Sequence, residues 1–300
     1  MLCLFSDVSV GYFFLFFLLT AQVQAKLVVG VTLHPYYSFV ANIIKDKGEI
    51  VPLIPEGFNP HAFEPRSQDI KRINELTVLV LNDIGHDAFA RKMIQASENK
   101  DVPIIQANKD VPLLSTMGLD ENQRDGVINS HTFISISAAM LQVNHIAKEL
   151  AKLDPANADF YRENARAYNK RLRQLRSDAL SRVQGVKNPN LRIATVHAAY
   201  DYLFREFGLE VSAVVEPGHA IEPSPAHVKK VIDLIKAKNI SILFTEKDNP
   251  NAYIRTIAKE ANIKLADLTH MTHGAYTAQH FEEGMAYNLD QVVKAILESQ

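Results

Sequence analysis

Three histidines and one aspartate, His61, His131, His197 and Asp267, stand 70, 66 and 70 residues apart. Each falls near the end of a segment that reads as a strand, or in the loop beyond one. Three imidazoles and a carboxylate form a nitrogen-rich, borderline-soft donor set that suits Zn²⁺. Residues so far apart can meet only if the fold brings several strand ends to one place. The crevice at the carboxyl edge of an open α/β sheet does this.

Other residues compete for the same role. His270 and His273 follow Asp267 by three and six residues, so the fourth position is open among these three. His34, His86 and His219 also sit in loops after strands, where they could line the cleft. His145 and His227 read as helix-face residues, and His280 as a helix-start residue. Glu222, in Glu222-Pro223-Ser224-Pro225, reads as a helix cap or as an acceptor that fixes a ligand imidazole. Glu246, after Ile242-Leu243-Phe244-Thr245, is similarly ambiguous.

The elements that must position these residues alternate. Apolar, β-branched runs at Leu27–Thr32, Ile50–Ile54, Val78–Asn82 and Val102–Gln106 read as strands. Helical patterns lie between them near Tyr37–Lys45, Ser67–Leu76 and His86–Ala96. That βαβα order predicts a mostly parallel sheet with helices on both faces. The strand rhythm then stops for about eighty residues. Asp110–Ser130 is a polar loop, and Thr132–Leu153 is helical. Asp154-Pro155 signals a second helix start. Ala156–Val183 holds no Gly or Pro and extends for about 40 Å at the helical rise. Its apolar residues form a narrow stripe among charges, which fits a long helix lying across two lobes. Strands then resume at Leu191–Val196, Leu209–Val215, Ile240–Thr245 and Ile263–Ala266. Helices near Tyr200–Phe207, Pro225–Ala237, Ala252–Ala261 and Phe281–Leu297 accompany them. The expected class is α/β, with two parallel-sheet lobes of about four strands each and one long helix bridging them. The expected divisions are a signal peptide at 1–25, a first lobe at 26–153, a linker helix at 154–186 and a second lobe at 187–300.

Residues 1–25 read as a secretory signal because Val8–Leu19 is apolar and Val23-Gln24-Ala25 offers small residues for cleavage. The only cysteine, Cys3, lies before that apolar run. A mature chain without a thiol fits a bacterial periplasm better than a disulfide-stapled secreted domain. Removing the signal takes one acid, Asp7, and leaves 32 basic against 33 acidic residues. Such a balance, with no clustered basic face, gives nucleic acid nothing to bind. The chain has no phosphate-cradling glycine loop, no G-x-S-x-G elbow and no H-E-x-x-H helix.

Several short motifs, in order, resemble one family. They are Asn59-Pro60-His61 with Phe63-Glu64-Pro65 and Ser67-Gln68-Asp69, then Asn82-Asp83-Ile84-Gly85 and Asn129-Ser130-His131. Thr195-Val196-His197-Ala198-Ala199-Tyr200, Glu222-Pro223-Ser224 and Ala266-Asp267-Leu268 complete the set. Over essentially the whole mature chain, the sequence resembles the cluster A-I (ZnuA/TroA-like) solute-binding proteins of zinc and manganese ABC transporters. The resemblance implies two α/β lobes bridged by one rigid helix, with metal held in the interlobe cleft. It places the family's four ligand positions on His61, His131, His197 and Asp267. Histidine at the third position tilts the expected cargo to Zn²⁺, since manganese binders usually place a carboxylate there. It further implies a periplasmic, monomeric carrier with no catalytic role that delivers its ion to an inner-membrane ABC permease. Asp110–Ser130 holds no histidine, so no histidine-rich collecting loop is expected. Three alternatives stand beside this reading. One is a manganese-binding member of the same family. Another is an exported zinc hydrolase using His61, His131 and His197 with Asp267 as base. The last is a binding protein for an organic solute.

Overall fold

The computed structural model describes residues 26–300 except 57, 59, 118–126, 187–189, 217–222 and 248–251, and of His61 and Ala252 the backbone only. The expected signal segment lies outside these residues. Among them, no helix is long and apolar enough to cross a membrane.

Two four-stranded parallel sheets form the molecule. The first orders β1 (Leu27–Val31), β2 (Gly48–Pro52), β3 (Val78–Leu81) and β4 (Ile104–Gln106) as β2-β1-β3-β4. The second orders β5 (Ile193–Thr195), β6 (Val211–Val214), β7 (Ile242–Glu246) and β8 (Lys264–Leu268) as β6-β5-β7-β8. The two sheets thus share one topology. Parallel strands need both faces covered, and β3 (VLVL) is accordingly buried along its whole length.

Helices α1 (His34–Ile44), α2 (Ser67–Asn74) and α3 (Ala88–Ala96) serve the first sheet. Next come α4 (Ile136–Leu153) and, after a short 3-10 turn at Pro155–Asn157, the long α5 (Ala158–Val183). The second sheet carries α6 (Asp201–Arg205), α7 (Pro225–Ala237), α8 (Ala252–Ala261) and α9 (His280–Leu297). Two starts are capped by serine: Ser135 accepts from Ala138 N ahead of α4, and Ser224 accepts from His227 N ahead of α7.

At 26 residues, α5 is about 39 Å long. Its buried positions, Tyr161, Ala165, Tyr168, Leu172 and Ala179, recur at helical spacing and make one stripe. That stripe packs against α1 and α4 of the first lobe and against α9 of the second. One apolar core therefore runs continuously through both lobes, with a separate cluster on the outer face of each sheet.

Polar contacts reinforce this junction. The segment leading into α9 lies against α1, where Ser38 Oγ donates to Thr277 O (2.8 Å) and Asn42 Nδ2 donates to Ala278 O (2.8 Å). Tyr276 OH donates to Ile54 O at 2.9 Å. On the other side, Glu206 of the second lobe accepts from Ser137 N (2.8 Å) and Ser135 Oγ (2.6 Å) at the start of α4, and from Arg176 of α5. A carboxylate at a helix N-terminus also meets the favourable end of the helix dipole. So much shared surface argues for a stiff frame, not a wide hinge.

His34 belongs to this junction. It is buried, stacks on Tyr276 with ring centroids 3.8 Å apart, and its Nε2 donates to Gly274 O at 2.9 Å. Burial pulls its pKa down to about 4, with His280 and His273 nearby adding to the effect. The unfolded chain takes up a proton near pH 6.5 that the native state refuses until about pH 4. Stability is therefore expected to fall as pH drops through that window, by roughly 1.4 kcal/mol per unit from this group. Denaturant titrations of the metal-free protein across that range should show a shallower slope for His34→Gln than for the parent; equal slopes would contradict the assignment.

Candidate metal centre

Four histidines from both lobes come together where the strand ends meet. His131 lies in the loop before α4, and His86 in the turn between β3 and α3. His197 follows β5, and His270 follows β8. The ring of His131 is edge-on to those of His86 (centroids 4.4 Å), His270 (4.9 Å) and His197 (5.0 Å). All four are buried. Their coordinating atoms, with a carboxylate oxygen of Glu246 at the end of β7, form two overlapping donor groups: His86, His131 and His270, and His197, Glu246 and His270. Within each group the atoms lie within 4.8 Å of one another.

The hydrogen bonds set how these rings present themselves. His197 Nδ1 donates to Glu216 Oε2 at 3.1 Å. A carboxylate only accepts, so Nδ1 carries the proton and Nε2 presents its lone pair. Asn129 does the same for His131. Its amide nitrogen donates to Asp201 Oδ2 (2.7 Å), which leaves its Oδ1 to accept from His131 Nδ1 (2.8 Å) and His131 N (2.9 Å). Asp201 is buried, and its carboxyl is pushed up to about 6 by desolvation. With both Nδ1 atoms engaged, the Nε2 atoms of His131 and His197 face each other at 3.2 Å. Two lone pairs at that distance repel unless a cation or a proton lies between them. Neutral imidazoles braced through Nδ1 are the form that binds a metal.

Tight backbone turns aim the other two rings. Before His86, Asp83 takes φ 58° and Gly85 φ 136°. A Cβ on Gly85 would also come within 3.2 Å of Ser130 Cβ, in the loop that carries His131. The buried Asp87 carboxylate holds this turn, accepting from Thr32 Oγ1 (2.8 Å), Asn82 N (2.5 Å) and Asp83 N (2.9 Å). Asn82 Nδ2 in turn donates to Ser130 O at 3.0 Å, tying the two loops together. His270 precedes Met271, at φ 59°, and its Nδ1 meets Thr272 Oγ1 at 2.9 Å.

Of the four residues singled out by spacing, His131 and His197 are thus brought together. Asp267 is in neither donor group. The physical reason is the length of β8, which runs to Leu268 instead of ending at Ala266. Asp267 pairs with Thr245 inside the ladder, on the same face as the exposed Leu265. His270 is the histidine beyond the end. The hydrolase alternative would need Asp267 beside the imidazoles as a base. His61 falls in the 3-10 turn Pro60–Ala62, and its side chain, like His219 and Glu222, lies outside the described residues. His34, His145, His227 and His280 are engaged elsewhere, bonded to Gly274 O, Asp110, Val215 O and Met271 O respectively. Sequence reasoning ranked His86 and Glu246 below the four chosen residues, and the structure places both in the donor groups. Their signal was placement after strands β3 and β7, which they share with the chosen residues.

Two lobes with imidazoles crowded between their strand ends are the architecture of a protein that holds an ion. Residues 29–295 match the model of the ZnuA family, zinc-uptake complex component A, periplasmic, and the chain belongs to that family. It is 26% identical to the high-affinity zinc uptake system protein ZnuA of Bacillus subtilis, over 91% of this chain and 88% of that protein. It is 24% identical to the manganese ABC transporter substrate-binding lipoprotein PsaA of Streptococcus anginosus, over 90% of this chain and 89% of that one. Among solved structures, FpvC from Pseudomonas aeruginosa in complex with Ni²⁺ is 57% identical, with a TM-score of 0.86 over 92% of this chain and 98% of that one. The same protein in complex with Mn²⁺ gives the same identity and TM-score, over 92% and 100% of the two chains.

Residues that hold a ligand imidazole through its other nitrogen typically change metal affinity about 10- to 100-fold when removed. Glu216→Gln and Asn129→Ala are each expected to weaken metal binding by about that factor. Competition against a chromophoric chelator measures this, and unchanged affinity in both variants would refute the bracing role.

Proposed function

We propose that this chain captures a first-row divalent metal ion outside the inner membrane and hands it to an ABC permease. The observation that carries this reading is the pair of braced imidazoles, one from each lobe, whose Nε2 atoms face each other at 3.2 Å. Nitrogen-rich donors make Zn²⁺ the first expectation, with Mn²⁺ the alternative. Relatives named for zinc and for manganese, and the FpvC complexes with Ni²⁺ and Mn²⁺, support a cargo of this class. We assign the ligands to His131, His197 and His270 first, with His61 and Asp267 retained as the positions the family resemblance points to. Export by residues 1–25, a monomeric state and lobes at 26–153 and 187–300 joined by 154–186 belong to the same proposal. The role is capture and release, with no covalent bond made or broken.

Metal content and competitive titration of the protein lacking residues 1–25 test this. One ion per chain, held against a chelator and lost in His197→Ala, is the expected result. His270→Ala should cost more affinity than Asp267→Asn. Because the ligands bind as neutral imidazoles, retention should also weaken as pH falls and protons compete for the same nitrogens. Absence of any bound first-row ion, or full retention in His197→Ala, would overturn the proposal.

A further inference from the structure

We propose that a second site, on the flank of the lobe junction, binds a small aliphatic carboxylate through Arg205. This goes beyond the metal-carrier reading, and the site shares no residue with the two donor groups.

A cavity of about 490 Å³ lies between the loop after β4, the start of α4, α5 and α6. That volume is in the range of small-molecule sites, which are mostly apolar with a few fixed polar groups. Val111, Leu113, Leu114, Ala138 and Leu141 form its apolar part. Leu113 and Leu141 are 40% and 37% exposed, unusually open for large apolar side chains. A hydrocarbon chain laid along them would remove that surface from water. The cavity has walls from both lobes, since Tyr202, Arg205 and Glu206 face the first-lobe residues across it.

Most polar groups in these walls are committed. The Glu206 carboxylate accepts from Ser135 Oγ, Ser137 N, Ser137 Oγ and Arg176 Nε. It thereby offsets the charge of Arg176. Tyr202 OH accepts from Leu114 N at 2.8 Å and donates to Asn129 O at 3.2 Å. Arg205, the last residue of α6, is exposed and has no hydrogen bond or ion pair among the described residues. It also lines the adjoining cavity, where Asp201 and Glu210 stand, so an anion is directed to the apolar side. A guanidinium presents parallel N–H groups that match the two oxygens of a carboxylate. One uncommitted positive charge suits a monoanion better than a doubly charged phosphate. Branched aliphatic walls beside it suit a hydrocarbon body.

Octanoate is the probe, with 1-octanol as its uncharged counterpart and acetate as its counterpart without the chain. In ¹H–¹⁵N spectra of the purified protein, octanoate should shift the amides of Leu113, Ala138, Leu141 and Tyr202 and saturate at one molecule per chain. Octanol and acetate should each bind at least about tenfold more weakly. Arg205→Gln changes an exposed, unbonded side chain, and should cost octanoate at least about tenfold while leaving octanol unchanged. Octanol or acetate binding as tightly as octanoate would overturn the proposal. So would unchanged octanoate affinity in Arg205→Gln, or shifts confined to other parts of the chain.

Discussion

Two imidazole lone pairs held face to face across the lobe junction are the constraint on which the rest of the molecule depends. Left to themselves, His131 and His197 would turn a ring or take a proton. Asn129 and Glu216 prevent the turn by fixing each Nδ1. Asn129 is itself held by Asp201 from the other lobe, so the orientation of one ligand is set by the junction it helps to form. An unfavourable arrangement of this kind persists only where surrounding contacts over-determine it. In the proposed role, a metal ion between them would convert the repulsion into two coordinate bonds.

The frame explains how that arrangement is held. A long helix, a continuous apolar core and two sets of polar contacts bind the lobes together on both sides of the cleft. Contacts on both sides of the cleft thus fix the positions of the elements that carry the imidazoles. For the proposed carrier, the same stiffness means that release would need a local change near the imidazoles. The tight turns at Asp83–Gly85 and Met271, next to His86 and His270, are among the places where the backbone takes positive φ.

Much of this was legible in the sequence. Alternating strand and helix patterns specify two parallel-sheet lobes, and the Gly- and Pro-free stretch at 156–183 specifies the long helix. His131 and His197 are recognisable because the loops that hold them follow from those patterns. Which residue lies beside them from the end of β8 was not, because that turns on where β8 stops. Two more ladder residues carry Asp267 into the sheet and bring His270 to the end. Periodicity reports that a strand exists far better than it reports its last residue, since end residues are held by pairing partners remote in sequence. His86 was obscured for a related reason. Its aim depends on a left-handed Asp83, a Gly85 pressed against Ser130 and a buried Asp87, contacts that no local pattern encodes.

Anomalous diffraction from a crystal of the metal-loaded protein, recorded at the absorption edge of the bound ion, tests the central claim most directly. A single peak within bonding distance of both His131 Nε2 and His197 Nε2 is the predicted result. A peak bonded to only one of them, or lying outside the junction between the lobes, would contradict the account.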